Sequence, residues 1–348
     1  MTPIYAICRN TVLETVRQPI YGLIVTVSCA LIAFTPATAA HIYSFRVTAQ
    51  LDRAAERLIA DLGLATVLLG GLVLAVFSTT TAISREIADR TASSVLSKRV
   101  SRSEFVVGKY LGIAISMGLA TLVGCITVLL TVRASASVAA WQPLDWGIIL
   151  AMAGAALAAC GYATWRNYFH GRAWLGSFNL LFIALMVLLF VVFALIDREN
   201  NFILSAEFNQ HANPDLANQD VGGFNYDWQV ARAAFLTTQA ILVIASISLA
   251  ASTRLGAVGN ACVTGGMIIL GLISEFLYHS LHKLQWRTLA EMLHLVVPNL
   301  EKFWMSDALT REQPIPIEYI SITSAYALLY IAAMLLIASY LLGNRDVS

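Results

Sequence analysis

The 348-residue chain is 58% hydrophobic and carries 22 Lys and Arg against 21 Asp and Glu, a charged fraction of 12% and a formal net charge of +1. A soluble domain is roughly 25% charged, so half the usual charge is missing, and the mean hydropathy of +0.71 agrees. These figures exclude a disordered chain, which is poor in apolar residues, and argue against a nucleic-acid binder, since a near-neutral chain offers phosphates no basic field.

In chain order, residues 3–18 come first. Ile4, Cys8, Val12 and Val16 recur at spacing four, with Arg9, Asn10, Glu14 and Arg17 elsewhere around the wheel. This pattern predicts an amphipathic helix over residues 1–19 that lies along the inner membrane surface and is broken by Pro19. Eight stretches of at least twenty residues then lack Asp, Glu, Lys and Arg altogether: 18–45, 62–84, 110–132, 146–165, 173–196, 233–253, 255–274 and 319–344. Crossing ~30 Å of hydrocarbon as a helix takes about 20 apolar residues, and only a helix satisfies its own backbone there. The alternation of a membrane β-barrel is absent, because Leu180–Leu195 is almost continuously apolar. The fold class expected is therefore all-α, a polytopic membrane protein of about eight transmembrane helices.

Stretches 233–253 and 255–274 are separated only by Arg254. Gly256, Gly259 and Asn260 are turn residues, which favours a tight helical hairpin over one kinked helix. The five cysteines are odd in number and none lies in a long polar loop, so no disulfide framework is expected. The apolar stretch from Ile20 is too long, and lacks a compact basic head, for a cleaved signal; it reads as the first span.

Eight spans place both termini on one side, together with the 85–109 and 166–172 loops and Arg254. That side holds twelve basic and five acidic residues, the other ten and sixteen. The bias predicts cytoplasmic termini, and the membrane expected is the cytoplasmic (inner) one. Two polar segments, 197–229 and 282–318, face outward. The first, with Asn213-Pro214-Asp215 and Gly222-Gly223, reads as loop. In the second, Leu281, Leu284, Leu289, Met292, Leu293 and Val296 approximate one helical face before Pro298, and Leu300, Phe303, Trp304 and Leu309 repeat it. Together with Trp286, they predict two short external helices lying on or dipping into the outer leaflet.

The most specific segment is Ser84–Gly112, SREIADRTASSVLSKRVSRSEFVVGKYLG. It resembles the first cytoplasmic loop of ABC-2-type ABC transporter permeases. Glu86, Thr91, Leu96-Ser97, Val100-Ser101-Arg102 and Gly108-Lys109 stand where that family has its Glu, its Thr, an apolar-Ser stretch, a basic turn and the Gly-Lys that opens the third span. Arg99 replaces the usual proline, and Asp89-Arg90 replaces a Gly-containing approach to the Thr. The amphipathic start, the external helices before the last span and Arg345-Asp346 follow in the family's order. The common family core has six spans, so the surplus here is assigned to an extra hairpin at 146–196. That would put the second cytoplasmic turn at 252–260.

The resemblance implies a transmembrane permease domain over 20–348, with a coupling loop at 84–109. It also implies a non-catalytic subunit that works as a dimer with a second permease copy or homologue and a separate ABC ATPase. Glu86, Arg90, Thr91, Lys98, Arg99, Arg102 and Lys109 would be the ATPase-coupling residues. The partner would bind ATP and Mg, and the cargo would be exported or extruded. The residues alone agree that this chain does not cradle ATP as a phosphate loop does: no Gly-x-x-x-x-Gly-Lys-Ser/Thr is present, and Tyr110 follows Gly108-Lys109. A basic loop between two rigid spans can dock in a partner's groove or attract anionic lipid.

Glu275, His279 and His282 fall at i, i+4 and i+7, and are metal or proton-relay candidates. A polar interfacial stripe explains the same residues more simply. Were they functional, the protein would be a stand-alone membrane enzyme or a metal-handling protein. Tyr162, Trp165, Arg166, Tyr168, His170, Arg172 and Trp174 make an aromatic and basic turn that reads as an interfacial belt.

Overall fold

A computed structural model describes residues 3–43, 50–85, 101–135, 145–196, 228–283, 291, 296–305 and 315–343. Among them the chain is helical: α1 (Pro3–Val16), α2 (Pro19–Tyr43), α3 (Gln50–Thr79) running into a π-helical turn (Thr80–Arg85), α4 (Arg102–Ser135), α5 (Trp146–His170), α6 (Trp174–Leu195), α7 (Trp228–Ser252), α8 (Ala257–Leu272), α9 (Ser274–Lys283), a 3-10 turn (Glu301–Phe303) and α10 (Ile317–Gly343). Seven of these helices are long and apolar enough to cross a membrane, and α8 with α9 form a bent pair that makes an eighth if it counts as one span. The all-helical, polytopic expectation holds.

The chain folds into two compact units. One comprises Met1–Thr26, Leu64–Thr121 and Arg232–Ser348, the other Val27–Gly63 and Leu122–Ala231. In the second unit, α5 and α6 form the expected hairpin. Asp145 caps α5 by accepting from the Gly147 N–H at 3.0 Å. Gly171 ends α5 at φ 60°, in the left-handed region that favours glycine, and its N–H returns to the Asn167 carbonyl. The Trp174 indole then joins the two helices by donating to Thr164, while Trp174, Phe178 and Phe182 stack in turn along α6. Elsewhere in this unit α3 and α4 meet at a glycine: a methyl group on Gly63 would lie 2.8 Å from a Val128 methyl. The Arg133 guanidinium, 8% exposed, donates to the Ile196 carbonyl at 2.7 Å and lies over the Phe193 ring.

The first unit holds the buried cluster Leu72, Ala240, Val243, Ile244, Ile247, Leu300, Phe303 and Ala327. Between spans lipid is as apolar as this core, so the cluster holds the helices by close packing rather than by removal from water. Two corrections to the sequence expectations come from here. Leu300 and Phe303 are 4% and 1% exposed and pack against residues from the middle of α3, α7 and α10. The segment at 296–304 therefore dips into the bundle, one of the two placements expected, but its described part is a 3-10 turn at Glu301–Phe303 rather than an amphipathic helix. Its apolar spacing served burial against helices, a role that periodicity alone does not separate from an interfacial one. Leu284, Leu289, Met292, Leu293, Trp286 and Leu309 lie outside the described residues.

The second correction concerns the turn after α7. It is tight, as expected, but only Thr253–Gly256 form it; Gly259 and Asn260 lie inside α8. The helix then bends by 62° between Leu272 and Ser274. At the bend the Gly271 carbonyl accepts from the Leu300 N–H at 3.1 Å, and a methyl on Gly271 would meet Leu300 and the Pro298 carbonyl at 2.8 Å. The chain thus needs glycine there for backbone to approach backbone. The contact of Arg102, at the start of α4, with Gly343, at the end of α10, favours counting the bent pair as a crossing. The chain must recross an even number of times between two points on one side. Among the described residues, besides the α5–α6 hairpin, α4, α7 and α10 supply only three.

Candidate coupling site

Five of the sequence-predicted coupling residues, Glu86, Arg90, Thr91, Lys98 and Arg99, lie outside the described residues; Arg102 and Lys109 lie within them. What the structure shows is how the two ends of the 84–109 loop are anchored in the first unit.

The exit is fixed by a capping box. The Ser101 hydroxyl accepts from the Glu104 N–H at 3.2 Å, and the Glu104 carboxylate accepts from the Ser101 N–H at 2.9 Å and from its hydroxyl at 2.9 Å. Two of the four unpaired N–H groups that begin any helix are thus satisfied. This starts α4 at Arg102, eight residues before the charge-free stretch begins, and it carries Lys109 into the helix. The Arg102 guanidinium donates to the carbonyls of Leu342 and Gly343 at the end of α10. Those carbonyls have no partner within α10 and sit at its negative end, so a guanidinium is well matched to them.

Lys109 is 3% exposed, 3.9 Å from the Glu14 carboxylate of α1, with its ammonium over the Phe105 ring. Around it, α1 lies directly on α4 at Gly108 and Gly112. A methyl on Gly108 would meet Ile7 at 3.0 Å, and one on Gly112 would meet Thr11 at 2.5 Å. The most buried residues of α1 are Thr11 and Thr15, while Ile4, Cys8, Val12 and Val16 are half-buried.

The entrance is held by a polar cluster. Thr79 bonds Ser248, and the Asn260 amide donates to Thr80 at 2.8 Å and to Ser248 at 3.0 Å. Thr264 donates to the Asn260 oxygen at 3.2 Å, and Gln18 donates to Thr81 at 2.9 Å. Asn260, Ser248 and Thr79 are fully buried. A buried amide left unpaired costs about 1–3 kcal/mol, so this cluster fixes one arrangement of α3, α7 and α8. The π-helical turn that begins at Thr80 widens the backbone where the loop leaves, a deviation common at functional sites.

These partners were not singled out from sequence. Ser101-x-x-Glu104 before an apolar run is a legible capping signal, and Gly108-x-x-x-Gly112 a legible close-approach signal. The pairing of Asn260 with Thr80, 180 positions apart, leaves no local trace.

The Glu275, His279, His282 candidates resolve differently. His279 lies 3.5 Å from one Glu275 oxygen, and the other oxygen accepts from the Asn299 amide at 2.7 Å. The side chain of His282 lies outside the described residues. Among the described residues no group of three or more His, Cys, Asp or Glu is placed to hold a metal ion. Glu275 instead ties α9 to Asn299, whose own N–H donates to the Tyr326 hydroxyl and whose oxygen accepts from the Glu301 N–H.

Apolar helices on this scale, joined at buried polar contacts and flanking one anchored loop, define an integral membrane protein of the polytopic helical class. Residues 60–218, a little under half of the chain, match the family model described as ABC-2 family transporter protein. The match covers the whole 84–109 loop, on which the sequence resemblance rests, and together with the spans it supports a transporter permease. No curated protein matches the chain.

Proposed function

We propose that this chain is the membrane-spanning permease subunit of an ABC transporter and exports or extrudes a substrate across the cytoplasmic membrane. A separate ATPase subunit supplies the work, and the assembly is a dimer of permeases with two ATPases. The observation that carries this reading is the family match over 60–218, which includes the 84–109 loop. ABC-2 family membership implies a partner ATPase in general, and the positive bias of the loop's side supports a cytoplasmic position for it.

In this reading the partner docks on Glu86, Arg90, Thr91, Lys98 and Arg99. Arg102 and Lys109 hold the loop's exit in the bundle. ATP and Mg bind in the partner; ATP binding closes the ATPase pair and moves the loop. Because the loop is clamped at Thr80–Thr81 and at Ser101–Lys109, its displacement passes to the helices as a rigid-body tilt rather than being absorbed locally. The competing reading, a stand-alone enzyme or metal-handling protein built on Glu275, His279, His282 and the external segment, has less support, since Glu275 is bound to Asn299.

Affinity purification of the tagged full chain from native membranes, with protein identification in the eluate, tests the proposal. A nucleotide-binding ABC subunit should co-purify in near-stoichiometric amount. A chain that emerges without one, and that binds metal or turns over a lipid alone, would refute it.

A further inference from the structure

The last helix, α10, is the least embedded of the seven candidate spans, with 17% of its apolar stretch buried against 78% for α7. Leu328, Leu329 and Leu336 point away from the protein. Contacts at its two ends are more specific. Beside the 84–109 loop, Arg102 holds the last carbonyls of α10.

Toward the other end, Tyr319, Tyr326 and Tyr330 lie at i, i+7 and i+11, one face of a helix. Each bonds the backbone of the re-entrant turn. The Tyr319 hydroxyl donates to the Lys302 carbonyl at 2.7 Å, and the Tyr330 hydroxyl donates to the Val296 carbonyl at 2.9 Å. Tyr326 accepts from the Asn299 N–H at 3.1 Å, and the Lys302 ammonium lies over its ring. Three tyrosines bound to main chain fix the path of the turn whatever its side chains are. A helix of 27 residues is roughly 40 Å long and stiff along its axis.

We propose that α10 is a rod that makes the loop exit and the re-entrant turn move together. Arg102 is its joint at the loop; Tyr319, Tyr326 and Tyr330 are its joints at the turn. All four are positioning residues for transport. Other contacts compete for control of the turn. Leu300 bonds Gly271 and packs on α7, and α7 holds α10 through Gln239 to Ser324 and the residues just before α10 through Arg232 to the Ile315 carbonyl. If these dominate, the turn follows α7 and α8, and the state of Arg102 does not reach it.

The inference rests on the proposed function only for what moves the loop. Its test uses the full chain alone, in lipid nanodiscs, so it can fail while an ATPase still binds, or succeed while none does. Hydrogen exchange of the amides at 296–303 is compared in the wild type, Arg102→Gln, Arg102→Lys and Tyr330→Phe, with the α7 peptide at 240–250 as internal reference. Loss of a charge-assisted joint should speed exchange at the turn by roughly tenfold in Arg102→Gln, with a smaller effect in Arg102→Lys and α7 unchanged. Tyr330→Phe should speed it at the turn from the near side. The proposal is overturned if Tyr330→Phe loosens the turn while both Arg102 variants leave it at the wild-type rate. It is equally overturned if the turn and α7 loosen together in both Arg102 variants, which would make Arg102 a general stabiliser.

Discussion

Gly112 of α4 faces Thr11 of α1 so closely that a methyl group on the glycine would stand 2.5 Å from the Thr11 Cβ and 2.8 Å from the Cys8 carbonyl. The N-terminal helix is therefore seated on the helix that leaves the coupling loop, with one main chain almost against the other. Gly112→Ala should displace α1 and lower stability by about 1–3 kcal/mol, the usual cost of overpacking. Gly118 of the same helix has nothing within 4 Å of where its Cβ would stand. Gly118→Ala should therefore be neutral or stabilising by up to ~1 kcal/mol through helix propensity. Thermal melting of the two variants in detergent separates packing from propensity.

Lys109 and Glu14 carry the electrostatic half of the same junction. Lys109→Glu would set two carboxylates face to face beside an almost fully buried position, and Glu14→Lys would do the same with two ammoniums. Each single variant should melt earlier than the wild type. The double exchange should recover part of the loss, because the pair is restored with its sign reversed. Equal melting of the double variant and the worse single one would remove the pair from the account.

Asn260 should be intolerant of substitution despite lying far from the loop in sequence. Asn260→Ala removes the donor to Thr80 and Ser248 and leaves buried hydroxyls short of a partner, at a cost of about 1–3 kcal/mol. Asn260→Asp keeps the volume and loses the donor, so it should lie closer to Asn260→Ala than to the wild type in a thermal melt.

Glu275 and His279 should separate cleanly. His279 is largely exposed and its partner Glu275 is also bound to Asn299, so His279→Ala should change neither stability nor metal content measured by mass spectrometry. Glu275→Leu should lower the melting temperature, because Asn299 loses the acceptor that holds it at the base of the re-entrant turn. Metal that co-purifies with the wild type and disappears in His279→Ala would revive the metal-handling alternative.

The bundle was legible because lipid imposes a severe rule: no charge over twenty residues, eight times. The loop was legible because charge is dense where water returns. The exact start of α4 was also written locally, in Ser101 and Glu104, since capping acts over three residues. The fate of Leu300 and Phe303 was not, because an apolar residue before a span serves an interface or a core equally well. Nor was the role of Asn260, which reads as a turn former beside Gly256 and Gly259 and becomes a core residue only once Thr80 and Ser248 are brought to it. Tyr319, Tyr326 and Tyr330 are three ordinary tyrosines of an apolar stretch in sequence. What they hold is backbone, and backbone partners have no sequence signature.

The central claim is that the 84–109 loop receives work from an ATPase. It is tested most directly by the Mg-ATP hydrolysis rate of the complex purified from native membranes, with Arg90→Glu and Lys98→Glu combined in the loop. A control carries a charge reversal at Lys302, within the re-entrant turn. The account predicts that the loop variant loses the ATPase from the complex or lowers its hydrolysis at least severalfold, while the control retains the ATPase. An ATPase that stays bound and hydrolyses at the wild-type rate with the loop charges reversed would contradict it.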